Sequence, residues 1–339
     1  MGLSQSKQFT SALGRFFPIE SLMPFFPLTY LVPLYHTVSD SDLPHIKHLY
    51  KHKTSSEFEA DLEFLSKHFE FVEPETFFHS VNKNRKGKRP CLLTFDDGLK
   101  EFYEVVAPIL SRKGIPAICF LNSDFVDNRG LMYRYQASLL VEALEKSSKA
   151  KQSQLAERLD IPSEPLKLQQ AILALSHAQE KERTDTAQLL EVSFEQFLNE
   201  EKPYLSFAQI KELSLAGFAF GAHSASHPLY AKISEKEQLK ETEESLSWLQ
   251  SKLPTDIPTF AFPFTDDGVK DSFFKQLQRK HSKLYSFGTA GIKKEPQAHH
   301  FQRLPMEQGN LSAPSILKGE LLSYIFKLPF GRHKMKRDD

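Results

Sequence analysis

Cysteine is almost absent. Cys91 and Cys119 are the only two in 339 residues. Both lie in apolar, strand-like runs and read as buried free thiols, not as a disulfide or a cysteine metal site. Tryptophan occurs once against 29 phenylalanines, so the expected core is rich in Phe. No charge sign dominates: Lys+Arg and Asp+Glu both number 43, for a formal net charge of zero. A nucleic-acid binder would carry a basic excess, so that class is set aside. A neutral sugar partner is compatible with this balance.

Long apolar runs are also missing. Phe25 to Tyr35 is apolar but broken by Pro27 and Pro33, and it is too short to span a bilayer. Residues 1–30 lack the basic start, apolar centre and small-residue cleavage site of a secretory signal. The expectation is therefore a cytoplasmic protein with no transmembrane segment. Peripheral membrane or envelope association stays open, because Phe16-Phe17 and Phe25-Phe26 suit either a membrane-surface helix or packing on the domain. Met1-Gly2 with Ser6 matches the myristoylation pattern only loosely.

What is present reads as alternating strands and helices. Hydrophobic content of 40% and charged content of 25% are ordinary for a globular chain. The spacing of Phe58, Leu62, Leu65 and Phe69, after the capping box Thr54-x-x-Glu57, predicts a helix over 55–69. A strand near 71–72 and a helix over 74–81 follow, then a solvated basic loop over 82–89. A helix over 99–112 should stop at Gly114, and Ala117–Leu121 reads as a buried strand. Residues 130–203 lack strand signals and suggest three or four helices. Alternation then returns, with a capping box at Ser234-x-x-Glu237, a strand at Phe260, further strands at 284–287 and 300–304, and a last helix over 312–326. Such alternation, with polar motifs at strand ends, points to a parallel α/β barrel. The expected organisation is a leader over 1–29, a catalytic domain over 30–330 with a helical insertion at 130–203, and a charged, frayed tail over 331–339.

Two motifs carry chemistry. Thr94-Phe95-Asp96-Asp97-Gly98 ends the apolar run Cys91-Leu92-Leu93. Adjacent carboxylates at a strand end repel unless a cation sits beside them. A metal is the natural cation, with one Asp binding it and the other free as a base. His223-Ser224-Ala225-Ser226-His227 closes a second apolar run. Imidazoles four apart on a helical turn reach one ion, and Ser224 or Ser226 is placed to bond the loop or the second ring nitrogens. Asp266 and Asp267 read as a turn before a helix.

TFDDG followed by HSASH and by Phe260-Ala261-Phe262-Pro263-Phe264 resembles the polysaccharide deacetylases, the NodB-homology group of carbohydrate esterase family 4. The early run Tyr30 to Tyr35 ending in His36-Thr37-Val38 is similar to the permuted branch that includes poly-N-acetylglucosamine deacetylases. The resemblance implies an α/β fold, a distorted (β/α)7 TIM-like barrel. It implies Asp96 as general base and Asp97, His223 and His227 as ligands of a divalent metal: Zn²⁺ first, with Co²⁺, Ni²⁺ or Mn²⁺ as alternatives. It also implies the Phe264 N–H as oxyanion donor and His36 as general acid, in place of the late Leu-x-His found in many members.

One departure is that position 261 is Ala where several relatives carry an Arg that pairs with the catalytic Asp. Arg303, at the start of the late Arg-Leu-Pro, is expected to reach Asp96 instead. The implied activity is hydrolysis of the linear amide of N-acetylated amino sugars in a polysaccharide or glycan. A lipid-linked sugar, an O-acetyl ester, or an inactive carbohydrate-binding protein of the same fold are the alternatives. The oligomeric state is open.

Overall fold

The computed structural model describes residues 10, 13, 14, 16–81 and 87–337. In chain order the strands are β1 (Pro33–Tyr35), β2 (Phe69–Phe71), β3 (Arg89–Cys91), β4 (Leu93–Phe95), β5 (Ala117–Leu121), β6 (Ala219–Ala222), β7 (Thr259–Ala261), β8 (Tyr285–Gly288), β9 (His300–Gln302) and β10 (Leu304–Pro305). Eight of them form one sheet in the order β10-β1-β4-β5-β6-β7-β8-β9, every pair parallel. β2 and β3 pair separately.

The sheet closes through a single residue. β9 and β10 are one run of chain interrupted at Arg303. Arg303 N donates to Gly288 O at 3.2 Å, toward β8, and the next amide, Leu304 N, donates to Val32 O at 2.8 Å, toward β1. The barrel therefore has seven staves, the number the family resemblance implied. Its strands read as continuous apolar runs because both faces are covered. Leu92, Ile118, Phe120, Ala261 and Phe287 belong to the interior cluster, which the helix Pro74–Ser80 joins through Phe77 and Phe78. Leu93, Phe95, Cys119, Leu121 and Phe260 face the outer layer, with Phe58, Leu62 and Phe102. Both cysteines are buried and free.

Most expected elements form within a residue or two. The Thr54 box caps Ser55–His68, with Thr54 Oγ1 accepting from Glu57 N at 3.2 Å and Glu57 Oε2 accepting from Thr54 N at 2.9 Å. Such a cap contributes about 0.5–2 kcal/mol. The helix expected over 99–112 opens instead as a π-turn, Phe102–Val106, before the α-helix Ala107–Lys113. Pro108, which has no N–H to give, sits at the join.

Residues 130–203, between β5 and β6, hold five helices, not three or four: Tyr133–Lys146, Lys149–Leu159, Pro165–Ala174, Glu180–Leu190 and Phe194–Glu201. Left-handed residues at Asp160, Glu191 and Lys202 end three of them without glycine, so the breaks left little trace in the sequence. Four of the five helices share an apolar core that includes Leu140, Leu155, Leu168, Ile172 and Leu190.

At the termini the leader packs on the domain, one of the two readings its aromatics allowed, and the expectation for the tail changes. Ile19, Leu22 and Phe26 of the leader join the main core, while Phe16 and Phe25 stay exposed. The tail is docked rather than frayed: Met335 N donates to Lys294 O at 2.9 Å. The loose myristoylation pattern and most of the basic loop lie outside the described residues. No helix among the described residues is long and apolar enough to cross a membrane.

Candidate active site

The alternation of β4 sends Leu92 inward and Leu93 and Phe95 outward, which brings Asp96 to the barrel mouth. Asp97 would then point away, but it takes a left-handed backbone (φ 71°) and turns back to the same side. Gly98 follows at φ 63°, and a Cβ there would lie 2.7 Å from Leu121. Glycine takes that backbone without strain and leaves room for the Leu121 side chain.

His223 directly follows β6, its amide donating to Leu121 O at 2.9 Å. The expected helical turn is not there. Ser224 (φ 65°) and His227 (φ 62°) are both left-handed, and this loop, not a helix, returns the second imidazole to the first. Glu241 fixes the loop by accepting from Ala225 N (3.0 Å), Ser226 N (2.8 Å) and Ser226 Oγ (2.7 Å). Neither Ser224 nor Ser226 reaches a ring nitrogen of His223 or His227. Ser224 Oγ accepts from His227 N at 3.0 Å, and His223 Nδ1 donates to the Ala261 carbonyl at 2.8 Å. That bond leaves His223 Nε2 as an acceptor.

The result is a buried triangle. Asp97 Oδ1 lies 3.2 Å from His227 Nε2 and 3.4 Å from His223 Nε2, and the two Nε2 atoms are 3.2 Å apart. Asp97 Oδ1 has no hydrogen-bond donor, although its partner oxygen accepts from Tyr135 OH at 2.6 Å. An orphaned carboxylate oxygen facing two imidazole acceptors is the donor set a divalent cation satisfies. Burial alone would raise the Asp97 pKa, yet the two imidazoles hold it well below the usual carboxylate range. Burial also keeps His227 below the usual histidine range, despite Asp97. Both directions favour the ligating forms.

Asp96 sits beside this triangle, 3.6 Å from His223 Nε2. Arg303 holds it in a fork: Nη1 donates to Oδ1 at 2.6 Å and Nη2 to Oδ2 at 2.7 Å. The guanidinium is fully buried, donates from Nε to Gly288 O at 3.1 Å and lies over the Phe120 ring at 5.3 Å. Burial would raise the Asp96 pKa, and Arg303 is foremost among the groups that lower it.

A cavity of about 420 Å³ opens over these residues, lined among others by His36, Tyr50, Tyr135, Phe264 and Glu307. His36 Nδ1 pairs with one Glu307 oxygen, while the other accepts from His36 N and Thr37 N, both at 3.0 Å. Burial would lower the His36 pKa, but Glu307, then Asp97 and Asp96, push it up to about 9. Phe264 has a left-handed backbone (φ 58°), its amide donates to no group among the described residues, and its ring meets His227 edge-on at 4.5 Å.

All seven sequence-nominated residues thus converge. The reading of residues missed Glu307, Tyr135 and Tyr50, whose ring lies 5.1 Å from that of His36. Glu307 was within reach: Arg303, Pro305 and Glu307 alternate along one strand face. Asp266 and Asp267 form the expected turn before a helix, with Val269 N donating to Asp266 O at 3.2 Å ahead of Asp271–Lys280. The Asp266 side chain is nonetheless fully buried, accepting from Gln302 Nε2 (2.7 Å) and Arg337 Nη2 (2.6 Å), with His300 at 3.1 Å.

Fold and site together define an α/β-barrel protein with a carboxylate–imidazole centre at the carboxyl ends of its strands. The sequence matches the polysaccharide deacetylase family over residues 83–281, and the chain belongs to that family. No curated protein matches it. Among solved structures it is similar to the Streptococcus pyogenes deacetylase PplD in complex with acetate. That match has 16% identity and a TM-score of 0.55, covering 86% of this chain and 97% of that one. IcaB from Ammonifex degensii matches at 16% identity and TM-score 0.53, covering 86% and 95%. A de-N-acetylase from Aggregatibacter actinomycetemcomitans matches at 14% and 0.50, covering 86% and 99%. These likenesses speak for the fold.

Proposed function

We propose that the chain is a metal-dependent hydrolase that removes acetyl groups from N-acetylated amino sugars of a polysaccharide or glycan. The observation that carries the reading is the orphaned oxygen of Asp97 facing two imidazole nitrogens, with Asp96 alongside but tied to Arg303. In this reading residues 30–330 are the catalytic domain and 130–203 an insertion that walls the site. Asp97, His223 and His227 would hold the ion; two imidazoles and a carboxylate suit Zn²⁺, with Co²⁺, Ni²⁺ and Mn²⁺ as substitutes. The ion supplies Lewis acidity, which acidifies water near neutral pH and polarises a carbonyl.

The chain does the rest. Asp96, kept ionised by Arg303, accepts the proton of the water that attacks the acetamide carbonyl. The Phe264 N–H donates to the carbonyl oxygen as it gains charge. His36, kept protonated by Glu307, gives its proton to the departing sugar amine. Acetate release from chito-oligosaccharides by the metal-loaded protein tests the reading. Metal uptake without acetate release from any acetylated glycan would overturn it in favour of a binding protein.

The acid role has its own test. A histidine with a raised pKa is competent below that pKa and loses its proton as pH rises through it. Glu307→Gln removes the largest raising influence on His36. The alkaline limb of the kcat/KM profile should then move to lower pH by about 1–3 units. An unmoved limb would remove His36 from the acid role.

A further inference from the structure

Eight large apolar side chains stand exposed among the described residues, and three crowd into five positions: Phe326 (50% exposed), Leu328 (40%) and Phe330 (75%). They sit where the helix Ala313–Lys327 runs out into the 3-10 turn Leu328–Phe330. The same helix is buried almost continuously from Ile316 to Tyr324, so the apolar residues surface only at its tip. Gly331, left-handed at φ 65°, reverses the chain there.

The tip is anchored on its return side. Lys294 N donates to His333 O at 3.1 Å and Met335 N to Lys294 O at 2.9 Å. Arg337 then donates to Asp266 Oδ2 (2.6 Å) and Glu295 Oε2 (2.7 Å) and lies 4.2 Å over the Phe274 ring. Around the tip stand Lys293, Lys294, Arg332, Lys334 and Lys336. None of these five has a carboxylate at ion-pair distance among the described residues.

The knob also stands beside the active site. A cleft of about 250 Å³ is lined by Lys327, His333 and Met335 together with Thr265 and Thr289, and both threonines line the active-site cavity as well. A protruding apolar tip with a cationic collar is the signature of a segment that enters the interface of an anionic bilayer. The rings lie at the headgroup–acyl boundary and the cations meet lipid phosphates. A soluble polyanion would use the collar and leave the three apolar side chains in water.

We infer that this knob docks the protein on an anionic membrane surface, with the cavity mouth beside the bilayer. The inference does not depend on the proposed activity, and its test reads binding alone. Co-sedimentation with phosphatidylcholine vesicles, with and without phosphatidylglycerol, should show binding only when phosphatidylglycerol is present, weakened by salt. F326S/F330S and K334E/K336E should each reduce partitioning about ten-fold or more. These positions are exposed, so thermal melts should match wild type. F16S/F25S, on the leader, should bind as wild type. The inference is overturned if wild type ignores phosphatidylglycerol vesicles or if F326S/F330S binds undiminished, the result a polyanion site would give. It is equally overturned if the loss follows F16S/F25S instead.

Discussion

Asp96→Asn should lose turnover by on the order of 10²–10⁴-fold and keep its metal. His223→Ala should lose both. The split follows from where the two side chains face. His223 offers Nε2 to the triangle, 3.4 Å from Asp97 Oδ1, with its other nitrogen tied to Ala261 O. Asp96 spends both oxygens on Arg303. An amide in its place keeps the shape, accepts at one atom and cannot take a proton from water. It also leaves the buried Arg303 without its countercharge, at a cost of about 3–5 kcal/mol. Metal content must therefore be read on protein shown to be folded, by inductively coupled plasma analysis after dialysis beside a circular dichroism melt. Equal metal loss in the two variants would undo the division of roles.

How much of this was legible in the sequence depends on the range of each interaction. The strand ends at Asp96-Asp97-Gly98 and His223 to His227, and the capping boxes at Thr54 and Ser234, are written in neighbouring residues, and they were read correctly. The geometry inside the motifs was less visible. The two histidines looked like one face of a helical turn, yet left-handed Ser224 and His227 do the folding back. Neither is glycine, and a backbone held there by Glu241, a residue of another element, has no local signal. Tyr135 reaches Asp97 from 38 positions away, on a helix whose pattern spoke only of burial. Arg337 shows the same limit. A charged tail reads as frayed until its acidic partners Asp266 and Glu295, 71 and 42 positions away, are known to be buried and facing it.

Arg303 joins fold and chemistry at one position. Its backbone is where the last stave changes neighbours, and its side chain passes through the barrel interior to the Asp96 carboxylate, the proposed base. The Arg303 amide donates to Gly288 O and its carbonyl accepts from Gly291 N at 3.0 Å, while the next residue, Leu304, is tied to Val32 O, so the position of the guanidinium is fixed at the β8 side of the seam. That suits a group whose task is to hold a carboxylate in one orientation.

Arg303→Met should consequently be the most damaging single change that touches neither the triangle nor Asp96 itself. The fork is fully buried, so removing one partner strands the other and costs about 3–5 kcal/mol. The sign of the pH effect follows from the pKa directions. In wild type, Asp96 lies below its unfolded value, so its contribution to stability is present above that value and is lost as pH falls through the folded one. Without Arg303, the strongest opposition to burial is gone, only His223 and His36 still lower the Asp96 pKa, and the folded value rises. The penalty then grows as pH rises and shrinks toward acid. On metal-free protein, the Tm gap between Arg303→Met and wild type should be wide at neutral pH and narrow on acidification. Loaded with metal, the variant should lose turnover at neutrality, with the acid limb of kcat displaced to higher pH. The double variant D96N/R303M removes both charges together. It should regain much of the stability that either single change loses, and none of the activity. A double variant no more stable than Arg303→Met would mean that the guanidinium contributes packing against Phe120 rather than charge balance, and Asp96 would then need another source for its ionised state.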